Sequence, residues 1–250
     1  MPTSRGLRVT VVLTVVPVVV SCGDHGRGES NGSVAVGPAL AASGRHLVII
    51  TDNGLLLRPT DGHRVTVDDR VDGHWSHRDS TWTLDLSCSD RSQNEGACPR
   101  MPYVKVPDGV SVTVSARNAG VDVAGIAAAL DVTTVNGDVT VTRSGREDAA
   151  VRLSTRNGSV RATALDTARL YAATTNGDVI LASATAPSSV TATTANGSVG
   201  ATVPRNAPAY RVTAGTDHGR VTVAVPTRDV PDSHTMTLTT VNGDVDVRRE

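Results

Sequence analysis

The hydrophobic pattern of this chain repeats about every 20 residues. Counted from each Asn of five Asn-Gly pairs, positions −6, −4, −2, +3 and +5 hold only Val, Leu, Ala, Met or Thr. The stretch TTVNGDV occurs twice, at 133–139 and 239–245. Alternation of period two on both sides of a turn signal predicts two strands per repeat, each with one buried face. The five pairs begin at Asn136, Asn157, Asn176, Asn196 and Asn242.

Weaker copies of the same pattern extend the repeat through most of the chain. They centre on Asn53, Asn118 and His218, with apolar residues or Thr at all five positions around Asn118 and His218 and at four of the five around Asn53. The repeat region therefore spans residues 46–250. The section 57–105 departs from the pattern and holds both Trp residues, two Cys and several His. We interpret this section as irregular and cap-like, with a disulfide-closed excursion, because the ends of a stacked sheet need covering.

Two architectures fit such repeats, a hairpin meander and a β-solenoid. In a solenoid each repeat is one coil stacked on the one before it, so equivalent residues lie about 4.8 Å apart and like packs on like. The uniform Thr and Val positions favour this arrangement. The predicted fold is an all-β, single-stranded, right-handed β-solenoid (β-helix) with Asn-Gly corners. The inner Thr hydroxyls are expected to hydrogen-bond one another or the backbone.

The residues two positions after each repeat Asn (position +2) also support a stack of coils. Position +2 holds Asp138, Ser159, Asp178, Ser198, Arg220 and Asp244 in chain order. Acids alternate with Ser through most of this series, which keeps stacked carboxylates about 9.6 Å apart rather than 4.8 Å. Like charges placed directly opposite each other destabilise a sheet.

The first 22 residues resemble a bacterial lipoprotein signal. Arg5 and Arg8 precede an apolar run, residues 9–20, which is short for a bilayer span. Val19-Val20-Ser21-Cys22 resembles the lipobox, which implies that Cys22 is acylated and becomes the mature N-terminus. An ordinary secretory signal and a retained membrane helix are the alternatives. We interpret residues 23–45 as a flexible tether. The predicted location is the outer face of the bacterial cytoplasmic membrane, with a lipid anchor on Cys22.

Two further cysteines, Cys88 and Cys98, are predicted to form a disulfide, since an exported chain meets an oxidising compartment. Free thiols or a metal pair are the alternatives. The net charge of −1 gives no electrostatic argument for nucleic acid. The chain has no Phe and only 2% aromatic residues, which suits a narrow core built from Val, Ala, Leu and Thr.

The run of Asn-Gly-Asp/Ser-Val repeats behind a lipoprotein signal resembles the bacterial DUF4097 family of adhesin-like β-strand repeat proteins. The segment 104–109, VKVPDG, and the late Val-Pro pairs at 203–204 and 225–226 are similar to its pattern. The resemblance covers about residues 46–250. It implies an extracytoplasmic β-helical protein, and it transfers no catalytic residue.

Candidate chemistry in the sequence is sparse. Asp72, His74 and His77 are weak candidates for a metal site, with a polar loop as the alternative. The Asp residues at position +2 are weak candidates for Ca²⁺. Asp122, Asp138 and Asp178 are the carboxylates that a β-helical polysaccharide lyase or hydrolase would need to bring together. No serine-nucleophile or phosphate-binding motif occurs, and no cofactor is predicted.

The preferred interpretation is a lipid-anchored, non-catalytic solenoid that acts as an adhesin-like binding or scaffolding surface at the cell envelope. Its expected partners are the membrane, through Cys22, and an envelope glycan or protein. One alternative is a β-helical envelope polysaccharide lyase or hydrolase, and another is a component of an envelope-stress sensor.

Overall fold

A computed structural model describes residues 35–40, 45–71, 73–87, 101–230 and 234–250. Within these residues the secondary structure is strand, with no helix. The strands are β1 (Ala35–Ala39), β2 (His46–Ile50), β3 (Leu55–Thr60), β4 (Arg64–Val67), β5 (His74–Arg78), β6 (Thr81–Asp85), β7 (Tyr103–Pro107), β8 (Ser111–Ser115), β9 (Val121–Ala124), β10 (Leu130–Thr133), β11 (Val139–Thr142), β12 (Gly145–Ser154), β13 (Val160–Ala173), β14 (Val179–Ser183), β15 (Ser189–Thr193), β16 (Val199–Val203), β17 (Tyr210–His218), β18 (Val221–Ala224), β19 (His234–Asn242) and β20 (Val245–Arg249).

The strands form two sheets, which we call sheet A and sheet B, and most neighbours are parallel. Each coil contributes one strand to sheet B and the next strand to sheet A, as β10 and β11 do. The long strand β13 serves both sheets, since its first half pairs with β14 and its second half with β15. Inward side chains at positions −6, −4, +3 and +5 are buried in most coils and form the core. The fold is therefore all-β and solenoid-like, as the repeat pattern predicts.

The coils do not stack in chain order, which corrects the expectation that each repeat lies on the one before it. Strands β19 and β20, the last in the chain, lie between β15–β16 and β17–β18. Likewise β2 and β3 lie between β6–β7 and β8–β9. The stack therefore runs β6/β7, β2/β3, β8/β9, β10/β11, β12/β13, β13/β14, β15/β16, β19/β20, β17/β18.

The end of the stack at β6 and β7 is closed by antiparallel strands. β5 pairs with β6, β4 pairs with β7, and β1 pairs with β4. The ring of Trp75 lies against Gly37 of β1 and packs edge-on to Trp82, with 6.3 Å between ring centroids. Antiparallel strands cannot continue the parallel stack, so they act as a cap.

This cap changes two sequence-based boundaries. Residues 35–39, predicted as part of the tether 23–45, form β1, because they gain hydrogen bonds from β4 and Leu40 becomes buried. Described parts of the section 57–105 are not irregular, since β6 and β7 belong to the parallel stack. The cap-like character comes from β4 and β5, whose direction is reversed.

The Asn-Gly pairs lie where a sheet B strand gives way to the next sheet A strand; four stand in the short segments between strands, and Asn242 is the last residue of β19. Four Asn side chains donate their amide to the Asn side chain of the adjacent coil, over distances of 2.8–2.9 Å: Asn157 to Asn136, Asn176 to Asn157, Asn196 to Asn176 and Asn242 to Asn196. In the five Asn-Gly coils the Thr at position −2 donates its hydroxyl to a backbone carbonyl, as Thr174 does to that of Gly158 at 2.8 Å. The prediction for the inner Thr hydroxyls is therefore confirmed, with backbone carbonyls as the acceptors.

Candidate functional site

The outer face of sheet B carries a row of unlike side chains at position −5 of consecutive coils. Strand pairing sets Asp131 of β10 beside Arg152 of β12, and Arg152 beside Tyr171 of β13. The next coils in the stack hold Thr191, Thr237 and Thr213 at the same position. Three adjacent coils thus bring together an acid, a base and an aromatic ring. We call Asp131, Arg152 and Tyr171, with His46 and Thr113, the sheet B patch.

A shallow cavity of about 220 Å³ opens beside this row. Small side chains, Ala129 and Ala150, leave space between larger neighbours. His46 lies on the far side, with its Nε2 atom 2.9 Å from the Thr113 hydroxyl. Asp131 and Arg152 complete the polar lining. The cavity therefore presents an imidazole, a hydroxyl, a carboxyl and a guanidinium around an apolar floor.

The charges of the patch are coupled. Partial burial raises the pKa of the Asp131 carboxyl above its ordinary value of 3.8, while the charges of Arg152 and His46 act in the opposite direction. The guanidinium of Arg152 lies 4.4 Å from the centroid of the Tyr171 ring, which is a cation–π geometry. The arginine therefore stands on the strand between the acid and the ring, with guanidinium donors for a ligand.

The arrangement suits binding better than bond cleavage. Carboxyl and guanidinium groups accept from and donate to hydroxyl groups, and an aromatic ring offers an apolar face to a sugar ring. Glycoside hydrolysis needs two carboxyl groups facing one bond. The described lining of this cavity holds one, Asp131, and the lining of a second cavity beside Tyr210 also holds one, Asp229.

The carboxylates proposed for an enzyme have other partners. Asp122 forms an ion pair with Arg58 at 3.0 Å. Asp138 and Asp178 accept backbone N–H groups from Ser159 and Ser198 in the next coils, at 2.8 and 2.9 Å. Asp244 does the same for Arg220 at 2.8 Å. These acids complete the hydrogen bonding between coils, and the structure does not bring them together in the sheet B cavity.

The predicted metal-site residues are separated. His74 and His77 lie three residues apart on β5, which directs their side chains to opposite faces of the strand. His77 stacks on Trp82, with 4.3 Å between ring centroids. Asp72 lies outside the described residues. Among the described residues, no group of three or more His, Cys, Asp or Glu side chains is placed to hold a metal ion.

Several predicted residues fall outside the part of the chain that the structure describes. They include Cys22, with its lipidation, and the Cys88–Cys98 disulfide, so these stay predictions. The repeat residues Asn53, Asn118 and His218 are described. The Asn118 N–H donates to the Asp52 carbonyl, and the His218 carbonyl accepts the Gly243 N–H, both at 3.0 Å. In the described residues, no helix has the length and apolar character needed to cross a membrane.

The sheet B patch was missed from the sequence, although a signal for it exists. Position −5 lies on the outer face, where neither burial nor stacking requires uniformity. It reads Thr113, Asp131, Arg152, Tyr171 and Thr191 along the chain. Comparing outward positions, in addition to the uniform inward ones, would have identified the three unlike residues in consecutive coils.

Comparisons with known proteins bear on the family. Two solved structures are similar along most of the chain. A "putative cell adhesion protein" from Clostridium sporogenes has 8% identity and a TM-score of 0.39, covering 87% of this chain and 98% of its own. A "putative adhesin" from Bacteroides fragilis has 10% identity and a TM-score of 0.38, covering 87% and 97%. No curated protein matches. The family model described as Toastrack DUF4097 matches residues 104–248, and the chain therefore belongs to the DUF4097 family.

Proposed function

We propose that this protein is a non-catalytic binding module of the cell envelope that holds a glycan on the sheet B patch. The observation that carries the proposal is the row Asp131, Arg152 and Tyr171 in three consecutive coils beside an open cavity of about 220 Å³. An exposed, shallow surface with hydroxyl, carboxyl, guanidinium and aromatic groups matches the mixed polar and apolar faces of a sugar chain. A row across a sheet also matches a linear ligand.

The solenoid is a suitable scaffold for such a patch. Each ligand-facing residue stands on a strand whose backbone is hydrogen-bonded on both sides. The spacing between side chains on neighbouring strands is therefore fixed at about 4.8 Å. Sites on regular strands are positioned more exactly than sites on loops. We further infer that the coil is right-handed, with Asn-Gly at its corners, because parallel strand connections are right-handed in about 98% of cases.

The proposal places the protein on the outer face of the cytoplasmic membrane, with Cys22 acylated and the following residues as a tether. Two acyl chains on one residue give firm anchoring. Labelling of growing cells with a clickable fatty acid tests this part. We expect label on the wild-type chain and none on Cys22→Ser. Equal labelling of both would contradict the anchor at this residue.

The glycan proposal is tested by co-sedimentation of the exported chain, carrying Cys22→Ser, with purified insoluble envelope polysaccharide. We expect saturable binding that weakens about tenfold or more in Arg152→Gln, since hydrogen bonds to a charged group contribute about 1.5–3 kcal/mol. Tyr171→Ser should weaken binding as well. Arg161→Gln is the matched control, because Arg161 is an exposed arginine on the outer face of sheet A.

The same samples are assayed for released reducing or unsaturated sugar ends. Binding without release, with the control variant unchanged, supports the proposal. Release of ends would show an enzyme and overturn the non-catalytic assignment for that substrate. Absence of binding, or equal loss in Arg152→Gln and Arg161→Gln, would remove the sheet B patch as a glycan site and direct the search to a protein partner by cross-linking on cells.

A further inference from the structure

A second arginine, Arg169, lies next to the sheet B patch. It stands on β13 two residues before Tyr171, and residues two apart on a strand face the same side of the sheet. Strand pairing sets Arg169 opposite Ala150 of β12, and Tyr171 opposite Arg152. The four residues therefore occupy the corners of a rectangle on the outer face of sheet B, about 4.8 Å across the strands and about 6.7 Å along them.

The small side chain of Ala150 leaves one corner of this rectangle open. Arg152 stands beside that corner along β12, and Arg169 stands beside it across the strands. Tyr171 fills the opposite corner, with its ring 4.4 Å from the Arg152 guanidinium. Ala150 also lines the cavity of about 220 Å³. The open corner is therefore a space between two arginine side chains that continues into the cavity of the patch.

The two arginines carry more positive charge than the acids around them balance. In the described part of the chain, neither Arg152 nor Arg169 forms an ion pair. Asp131 is the acid that faces Arg152 from the neighbouring strand. Glu147 and Asp148 lie at the start of β12, and Asp148 is paired with another arginine at 2.6 Å. The open corner therefore has a positive character that suits an anionic group.

We propose that the sheet B patch selects an acidic glycan, and that an acid group of the sugar chain binds over Ala150, between Arg152 and Arg169. This inference rests on the proposed glycan-binding function and adds the chemical class of the ligand. The donors of a guanidinium group form a planar fork that matches the oxygens of a carboxylate or a phosphate group. Asp131 and Tyr171 then serve the hydroxyl groups and the ring of the sugar next to the acid.

The surface beyond Tyr171 is compatible with the rest of an acidic chain. The next two strands in the stack, β15 and β19, pair in register with β13 and with each other. Their outward positions hold only hydroxyl side chains, namely Ser189, Thr191, Thr193, Thr235, Thr237 and Thr239. Hydroxyl groups both donate and accept hydrogen bonds, and they do not repel an anion. An acidic chain that runs across the stack from Arg169 therefore meets no carboxylate on these two strands.

Co-sedimentation of the exported chain carrying Cys22→Ser, the parent chain, with chemically treated envelope polysaccharide tests the ligand class. Carbodiimide-coupled amidation neutralises carboxylates, and hydrofluoric acid cleaves phosphodiesters. We expect binding of the parent chain to weaken about tenfold or more after one of these treatments, which identifies the acid group. Arg169→Gln should bind the untreated polysaccharide about tenfold more weakly than the parent chain does, and it should lose little more on treatment.

Two further variants control for charge and place. Arg161→Gln, on the outer face of sheet A, should keep both the affinity of the parent chain and its loss on treatment. Ala150→Leu fills the open corner without a change of charge and should also weaken binding of the untreated polysaccharide. Thermal unfolding of each variant checks that the fold is kept.

The outcomes separate this inference from the glycan proposal. If the parent chain bound the treated and untreated polysaccharides equally, or if treatment weakened Arg169→Gln as much as the parent chain, the acidic ligand would be wrong and the glycan proposal would stand. Unchanged binding in Ala150→Leu would contradict the placement of the acid group over Ala150. Absence of binding to the untreated polysaccharide would remove the glycan proposal, and this inference with it.

Discussion

At the scale of single residues, glycine after each ladder Asn is set by close approach between coils. Gly177 has a φ of +142°, and a Cβ there would overlap the carbonyl group of Gly158 in the neighbouring coil. That carbonyl is also the acceptor for the buried Thr174 hydroxyl. Backbone conformation, contact between coils and a buried hydrogen bond thus meet at one position. The repeated Asn-Gly pair has a physical cause in addition to turn propensity.

The first prediction concerns this close approach. Gly177→Ala should lower the free energy of unfolding by about 2 kcal/mol or more, because it adds backbone strain and a clash with a neighbouring backbone. Gly200→Ala is the matched control, since a Cβ at that position would meet no neighbouring atom within 4 Å and the φ of Gly200 is not positive. For Gly200→Ala we expect the free energy of unfolding to stay the same or to rise by about 0.5–1 kcal/mol. Urea unfolding of both variants measures the difference, and equal destabilisation would contradict this explanation.

The second prediction concerns the buried phenol of Tyr210. Its hydroxyl donates to the Pro187 carbonyl at 3.1 Å, and burial raises its pKa from 10.0 to about 12. The folded protein therefore holds this proton more tightly than the unfolded chain does. The associated stability is fully present below about pH 10 and is lost as the pH rises through about 12.

Tyr210→Phe should cost about 1 kcal/mol at neutral pH, through the lost hydrogen bond, and should flatten the fall in stability between about pH 10 and 12. Tyr171→Phe, on the outer face of sheet B, retains Tyr210 and should retain that fall. Denaturant midpoints measured across this pH range compare the two. If the stability of Tyr210→Phe fell with pH as steeply as that of the wild type, groups other than Tyr210 would cause the loss of stability at alkaline pH.

At the scale of strands and ladders, side-chain hydrogen bonds run parallel to the backbone ladders along the stack. The Asn ladder extends from Asn136 to Asn242, and the Asp/Ser series beside it gives a side-chain oxygen to a backbone N–H at each level. Asp accepts at 2.8–2.9 Å and Ser at 3.1–3.3 Å. Their alternation therefore satisfies the same bonds while avoiding adjacent carboxylates.

The third prediction compares positions in the Asn ladder. Asn176 both donates to Asn157 and accepts from Asn196, whereas Asn136, at the ladder's start, accepts from Asn157. Asn176→Ala should therefore cost about 2 kcal/mol and Asn136→Ala about 1 kcal/mol, at about 1 kcal/mol per hydrogen bond. Equilibrium unfolding in urea measures both. Equal costs at the two positions would mean that the ladder adds nothing beyond the local turn.

The inward repeat positions were predictable from the sequence because burial and stacking impose the same residue type at every level. The sheet B patch was harder to predict because its residues stand at outward positions, where solvent allows any side chain. Asp131 and Tyr171 are separated by 40 residues, and only the strand register sets them on either side of Arg152. The cap was predicted as an irregular section, and its strands β4 and β5 were not, because neither carries the repeat.

At the scale of the whole molecule, the order of coils is the feature that the repeat period cannot define. A period gives the length of a coil, and every coil fits on every other. In chain order, Arg220 interrupts the alternation of Asp and Ser at position +2, and this interruption was a signal for the true order of the coils. In spatial order the position +2 series becomes Asp138, Ser159, Asp178, Ser198, Asp244, Arg220, so the alternation continues without a break and the charged Arg stands at the open end.

The fourth prediction tests this order by engineered disulfides. Thr191 and Thr237 are direct neighbours on the outer face of sheet B, and Thr213 lies one strand further on. A disulfide requires Cα atoms about 4.4–6.8 Å apart, which neighbouring strands meet and strands two apart, at about 9.6 Å, do not. With Cys22→Ser as background, Thr191→Cys with Thr237→Cys should oxidise to an intrachain disulfide under mild conditions. Thr191→Cys with Thr213→Cys is the control and should stay reduced.

Peptide mapping by mass spectrometry distinguishes these links from any that involve Cys88 or Cys98. If the control pair closed and the first pair did not, the coils would follow chain order. The final coil would then form the end of the stack, and β17 would lose its free edge. The disulfide experiment therefore decides which coil ends the stack, the one with β17 and β18 or the one with β19 and β20.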